Sequence, residues 1–231
     1  MKHVLGIDVG GSAIKYALMQ KDGTLLEKDS VCTPLDSRDH FLDEIEKIYR
    51  KYEDQVEGIA ISMPGNLDSE TGFIDTPGML TFNYHTNIFE GIHSRIPNIN
   101  VAVQNDGKCA ALAELWLGNL SDVKDGAVLV LGSGIGGGLI VNRNLLIGSH
   151  FFAGELSFLI ENPENFGFEH VFAMNGSTTG LCLKAATLKK MDPTLVNGKL
   201  VFEWIKDNDE AALEALDHMT KHIATQIFNI T

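Results

Sequence analysis

Apolar residues in this chain come in short bursts punctuated by glycine. The first burst, His3–Val9, reads as a short apolar strand ending at Asp8, and it runs into Val9-Gly10-Gly11-Ser12. A second strand is expected over 14–20, a turn at Lys21-Asp22-Gly23, and a third strand over 24–32. Strand, tight turn, strand, turn, strand predicts an antiparallel meander. Ser37 then precedes a stretch with Phe41, Leu42, Ile45, Ile48 and Tyr49 at helical spacing, which predicts a capped helix through Tyr52. A β-rich run over 57–63 stops at Pro64-Gly65, and residues 66–87 are polar and turn-rich around Thr76-Pro77-Gly78. So long a connection in a compact domain points to a functional loop. A short helix is expected over 88–95. The next strand reads Val101-Ala102-Val103-Gln104-Asn105-Asp106, and a helical stretch from Gly107 through Leu117 follows it.

After a polar break over 118–126 the pattern restarts. An apolar strand over 127–131 leads into Gly132-Ser133-Gly134, then come a strand over 137–141, the turn Asn142-Arg143-Asn144 and a third strand from 145 to 148. This repeats the opening meander and indicates a weak internal duplication. The expected organisation is two α/β lobes, 1–120 and 121–231, each with a glycine hairpin, facing one another across a cleft. Beyond Gly148 a loop with a short strand is expected over 150–165, including Gly154-Glu155. Helices are expected over 177–190, over 200–206, and from Asp209 to the end, the last with Leu213, Leu216, Met219, Ile223, Ile227 and Ile230 on its apolar face.

Composition narrows the function classes. The net charge of −13, with no Lys/Arg cluster, argues against nucleic acid as a partner. Hydrophobic content of 44% with 21% charged residues is ordinary for a water-soluble globular protein. No apolar run reaches membrane-spanning length, and no signal peptide precedes the first strand. Cys32, Cys109 and Cys182 are far apart and form no CxxC, which fits reduced thiols in the cytoplasm better than a disulfide framework or a zinc centre.

Three stretches can carry chemistry. Asp106 follows an apolar strand, at the end where open α/β sheets bind ligands. A carboxylate there can take a proton from a bound hydroxyl, or it can merely cap the following helix. The hairpin around Gly10, Gly11 and Ser12 offers bare backbone amides to an anion such as phosphate. Beside it Asp8 can hold Mg²⁺ through water, and Lys15 can offer a point charge to phosphates; an ordinary turn with a solvated lysine is the plain alternative. The second hairpin, Gly132-Ser133-Gly134-Ile135-Gly136-Gly137, matches GxGxxG. A dinucleotide site needs a helix directly afterwards, whereas Leu139-Ile140-Val141 reads as strand, so that reading is rejected. A Walker loop is excluded because no Lys precedes Ser12.

The set Asp8-Val9-Gly10-Gly11-Ser12, Asn105-Asp106, Leu131-Gly132-Ser133-Gly134-Ile135-Gly136 and Ala153-Gly154-Glu155 resembles the ROK family of repressors and sugar kinases, within the actin-like ATPase superfamily. The resemblance runs from residue 3 to about residue 185. It implies a two-lobed, ribonuclease H-like α/β fold and ATP-dependent phosphorylation of a hexose or hexose-derivative hydroxyl, most plausibly the 6-OH. It implies that Gly10, Gly11, Ser12, Lys15, Ser133 and Gly134 meet ATP phosphates, that Asp8 serves Mg²⁺, and that Asp106 is the general base. Gly65, Asn105, Asp106, Glu155 and, by a looser alignment, Glu169 would hold the sugar. Many members carry, after the Gly-Glu pair, a His that touches sugar and binds zinc; here Phe158 stands in that position, and 162–171 contains no cysteine. A zinc-free branch resembling β-glucoside kinase-like members is therefore expected. Family kinases continue past this length with a segment that covers adenosine, so the nucleotide site is expected to be C-terminally incomplete at Thr231. The rival expectations are a non-catalytic sugar-binding regulator and a fragment with little activity. A homodimer is a possible assembly.

Overall fold

The computed structural model describes residues 2–162, 164–165 and 167–231. Contacts divide the chain into two compact units: Met1–Asp122 with Ile147–Phe152, and Val123–Leu146 with Ala153–Thr231.

The first unit is built on a five-stranded sheet. Strands β1 (His3–Val9), β2 (Ala13–Met19) and β3 (Leu25–Cys32) form the expected meander, helix α1 (Arg38–Arg50) follows, and β4 (Val56–Met63) pairs parallel to β1. Farther along the chain, β8 (Asn100–Asn105) pairs parallel to β4, giving the order β3-β2-β1-β4-β8. That is the strand order of a ribonuclease H-like lobe. Ser37 caps α1 by accepting from the His40 amide; Phe41, Leu42, Ile45 and Ile48 are buried, while Tyr49 packs half-buried at the edge. This helix face meets the alternating side chains Leu5, Ile7 and Val9 of β1 in one core.

The polar stretch expected to be a long loop is instead a small sheet. Strands β5 (Asn66–Leu67), β6 (Phe73–Thr76) and β7 (Thr86–Asn87) pair antiparallel, with a 3-10 turn at Thr81–Asn83. Leu67, Ile74, Leu80 and Ile88 are fully or nearly buried, one anchor per short segment, too sparse to show a period in sequence. Once those anchors are drawn in, the backbone groups between them must find partners, and strand pairing supplies them. Helix α2 (Ile88–His93) follows, capped by Asn87, and α3 (Asp106–Leu117) follows β8.

The second unit opens with the second meander. Strands β9 (Gly126–Leu131), β10 (Ile135–Val141) and β11 (Asn144–Leu145) order as β11-β10-β9. β10 begins two residues before the expected start, and β11 is only a stub, because residues 147–152 leave the sheet to pack with the first unit. The strand expected near 150–165 is reduced to one bridge, Ile160 with Val171; position 163 of that stretch lies outside the described residues. A short helix not expected from the sequence, α4 (Phe172–Gly176), buries Phe172. Helices α5 (Thr178–Lys189), α6 (Gly198–Lys206) and α7 (Glu210–Ile230) complete the unit. The expected face of α7 holds at Leu216, Met219, Ile223 and Ile230, which lie in or against the core, but Leu213 and Ile227 are exposed, and Ala212, Ala215 and Gln226 are buried beside it. Small residues let α7 approach α5 closely, where Ala185 and Ala186 lie opposite in the same core.

Candidate active site

Because β1, β4 and β8 run parallel, their carboxyl ends share one edge of the sheet. Asp8, Ser62 and Gln104 stand in one row across it, and Asn105 closes the next row beside Met63. Asp8 accepts from Ser62 Oγ at 3.0 Å on one oxygen and pairs with Lys15 Nζ at 3.3 Å on the other. The Asp8 and Lys15 side chains are 48% and 68% exposed, so the pair is open to exchange with a ligand.

Asn105, not Asp106, caps α3. Its Oδ1 accepts from the Lys108 amide at 3.0 Å, and its Nδ2 donates to the Gly65 carbonyl at 3.1 Å. Asn105 is buried and is the brace between the Gly65 turn and the helix start. Two of its four hydrogen-bonding positions remain for another partner. Asp106 is exposed and accepts one bond, from the Gly107 amide at 2.8 Å. Gly65 sits at φ +108°, where a Cβ would lie 2.1 Å from the Thr76 carbonyl oxygen, so only glycine fits that turn.

Two neighbours had no signal in the sequence. Ser62 reaches Asp8 only through strand register. Lys108 is buried at 1% exposure, and its Nζ donates to the Phe151 carbonyl at 2.5 Å. With Asn66 Nδ2 donating to the His150 carbonyl at 3.1 Å, it fastens residues 147–152 to the first unit. Cys109, one turn along α3 from Asp106, has its thiol pushed up to about 11 by burial, with the charges of Asp106 and Asp8 acting in the same direction. An open, largely apolar cavity of about 960 Å³ lies over Gly6, Ala17, Ala60 and Ala102; Asp8 and Lys15 line it, but Asp106, Asn105 and Gly65 do not.

Gly10 and Gly11 do not adopt positive φ. Their lack of Cβ matters for space: a Cβ on Gly10 would stand 3.0 Å from the Ala13 carbonyl, and one on Gly11 would strike Met79. The Gly10 amide closes the turn on Ala13 O at 3.0 Å.

In the second unit, Ser133 and Gly134 are exposed at the β9–β10 turn, and nothing lies within 4 Å of a Cβ placed on Gly134. The strand β10 follows directly, as the rejection of a dinucleotide site requires. Glu155 begins a 3-10 turn over Leu156–Phe158, preceded by Gly154 at φ +79°. That turn is held to β10 by the Ser157 hydroxyl, which donates to the Ile135 carbonyl, and by Leu156, buried with Ile135 and Phe172. Phe158 is 48% exposed. Glu169 is exposed on the 3-10 turn Phe168–His170, 3.7 Å from His170 Nε2. Among the described residues no group of three or more His, Cys, Asp or Glu side chains is arranged to hold a metal ion.

The model of the ROK family matches residues 4–231. The chain belongs to the ROK family. It is 28% identical to a β-glucoside kinase of Listeria monocytogenes over 229 residues, covering 98% of this chain and 77% of that one. It is 28% identical to a glucokinase of Halalkalibacterium halodurans, over 98% of this chain and 75% of that one. It is 26% identical to an N-acetylmannosamine kinase of Yersinia pestis, over 96% and 76%. Among solved structures, a ROK protein of Streptococcus pneumoniae in complex with sucrose superposes with a TM-score of 0.85 at 27% identity, covering 99% of this chain and 75% of that one. A ROK glucokinase of Streptomyces griseus, solved with glucose and AMPPNP, shares the fold with a TM-score of 0.79 at 20% identity, covering 95% and 76%. The α/β fold of this ROK chain is thus that of the family's sugar kinases, and the chain spans about three quarters of the length of these relatives. No helix among the described residues is long and apolar enough to cross a membrane.

Proposed function

We propose that this ROK protein is an ATP-dependent sugar kinase that transfers the γ-phosphoryl group to a hexose or hexose-derivative hydroxyl, with Asp106 as the general base. The observation that carries the reading is the placement of Asp106: exposed at the carboxyl end of β8, and relieved of helix capping by Asn105. A carboxylate that is not needed to hold the fold is available to accept a proton. Asp8 stands on the same sheet edge, at the end of β1. A single carboxylate with an exchangeable partner suits Mg²⁺, which keeps most of its waters and takes one or two protein carboxylates plus phosphate oxygens. When bound, Mg²⁺ supplies charge neutralisation at the phosphates. Ser62 orients Asp8, and displacement of Lys15 from Asp8 frees its ammonium for a phosphate.

Phosphoryl transfer depends mainly on positioning and on charge stabilisation. Asp106 orients the acceptor hydroxyl and receives its proton. The Gly65 turn, braced by Asn105, presents backbone groups to other hydroxyls. Glu155, and by a looser match Glu169, serve as sugar acceptors by the family resemblance, as Ser133 and Gly134 serve the phosphates. A site that pairs each hydroxyl discriminates strongly among sugars. The 6-OH as acceptor follows from the resemblance. The relatives' names, a β-glucoside kinase, a glucokinase and an N-acetylmannosamine kinase, set the panel of sugars to try.

The test is ATP-dependent phosphorylation of that panel by the protein and by Asp106→Asn. The amide keeps shape and hydrogen bonds but cannot take the proton, so kcat should fall by at least about 10²-fold while sugar affinity stays within a few-fold. A near-native kcat in the variant removes Asp106 as the base. Sugar binding with no phosphorylation in the parent protein favours a non-catalytic regulator.

A further inference from the structure

The second unit holds a buried acid that nothing in the proposed chemistry uses. The Glu161 side chain is 8% exposed, and both of its oxygens are engaged. Oε1 lies 2.8 Å from His222 Nδ1 and 3.3 Å from Gln226 Nε2, both on α7. Oε2 accepts from Asn175 Nδ2 on α4 at 2.7 Å. His218 extends the network, its Nε2 3.3 Å from Asn175 Oδ1 and its ring 4.4 Å from that of His222. Gln226 is itself 5% exposed. Burial, with the nearby His222 and Lys184 charges, pushes the His218 imidazole below its ordinary value.

The backbone at Glu161 closes the neck of a loop. The Glu161 amide donates to the His170 carbonyl at 2.9 Å, and the Phe172 amide donates to the Leu159 carbonyl at 2.8 Å, around the Ile160–Val171 bridge. Glu155 precedes this neck by six residues, and Glu169 lies within the loop it closes. Two hydrogen-bonded rungs alone make a marginal ribbon. Core packing of Leu159 and Phe172 holds one side of it, and the Glu161 side chain ties the other side to α4 and α7.

We infer that Glu161 is a positioning residue: with His222, Asn175 and Gln226 it clamps the neck of the 155–171 segment onto α7 and thereby holds the sugar-recognition residues Glu155 and Glu169 in place. The clamp itself stands on geometry alone; its consequence for sugar rests on the proposed kinase reading. Removing one partner of a buried, hydrogen-bonded charge leaves the others unpaired, a far larger effect than loss of a surface pair. The two-headed arrangement also explains why α7 carries Gln226 and His222 on a face otherwise lined by Ala212, Ala215 and Met219.

Hydrogen exchange in the intact chain tests the clamp. Glu161→Ala and His222→Phe should each speed exchange of the residue-161 and Phe172 amides at least tenfold, with the Leu181 amide of α5 unchanged as the control. Glu161→Gln, which keeps the shape and part of the bonding, should recover most of the protection. Unchanged exchange at both neck amides overturns the clamp, whatever the protein's activity. Uniformly faster exchange, Leu181 included, in both Glu161→Ala and His222→Phe also overturns it, since the network would then serve the fold at large. For the sugar consequence, Glu161→Ala should raise the sugar KM at least tenfold with the ATP KM and kcat changed less than threefold, and Glu161→Gln should restore it. A loosened neck with an unchanged sugar KM refutes the positioning role. Absence of turnover in the parent protein refutes the kinase reading alone, and the exchange result still decides the clamp.

Discussion

Replacing Asn105 tests how the proposed base is held. Asn105→Ala removes two interactions at a site only 6% exposed: the cap to the Lys108 amide at 3.0 Å and the brace to the Gly65 carbonyl at 3.1 Å. A lost Asn cap costs about 1 kcal/mol. A lost neutral hydrogen bond costs about 1 kcal/mol more. The sum, about 2 kcal/mol, corresponds to a fall in Tm of roughly 4–8 °C for a chain of this size. Asn105→Ser separates the terms. Serine caps well, but it carries no amide to reach Gly65, so about half the loss should return. Urea denaturation followed by circular dichroism gives the free energies, and Trp116 fluorescence, read in a Trp204→Phe background, reports α3. Sugar affinity should fall in both variants, because the Gly65 turn is released in both. Stability of Asn105→Ala within about 0.5 kcal/mol of the parent would refute the argument, and so would a serine variant no better than alanine.

Gly65→Ala should destabilise by at least ~2 kcal/mol, since its φ of +108° is strained for any side chain and a Cβ would meet the Thr76 oxygen at 2.1 Å; a soluble variant with unchanged Tm would show that the turn relaxes freely. Cys109 should resist a thiol reagent at pH 8. Raising its thiol from 9.0 to about 11 cuts the reactive thiolate about a hundredfold, whereas exposed Cys32 should label quickly, and equal rates by mass spectrometry would contradict this. Purified protein should hold no stoichiometric zinc, as 162–171 lacks cysteine and a structural site needs about four Cys/His ligands; elemental analysis showing one tightly held zinc per chain would overturn that.

The parts of the fold written as local periods were legible. Short apolar runs set off by glycine or polar turns mark β1, β2 and β8, the turn at Lys21-Asp22-Gly23 marks the start of β3, and the stripe Phe41, Leu42, Ile45, Ile48 marks α1, because each pattern needs only neighbours within a few residues. The second meander was legible for the same reason, through its glycine turns, although its third strand shrank to Asn144–Leu145 once residues 147–152 packed elsewhere. The small sheet over residues 66–87 was not legible. Its anchors Leu67, Ile74 and Leu80 are single residues, and the strand pairing around them joins positions seven to fourteen apart. Helix α4 and the small and polar part of the α7 face, Ala212, Ala215 and Gln226, were hidden for a related reason: burial there follows close helix approach at alanines and a polar network around Glu161, neither of which a hydrophobic period records.

The sequence by itself determined that Asp106 follows an apolar strand, that glycine hairpins open both halves, and that the motif set is that of the ROK family. These are properties of adjacent residues, and chain chemistry alone expresses them. Only the tertiary structure decided that Asn105 and not Asp106 caps α3, that Ser62 reaches Asp8, that Lys108 is buried against Phe151, and that Glu161 is held by residues more than ten positions along the chain. Each of those facts depends on strand register and helix packing, which bring distant polar groups within about 3 Å and leave them no water to turn to.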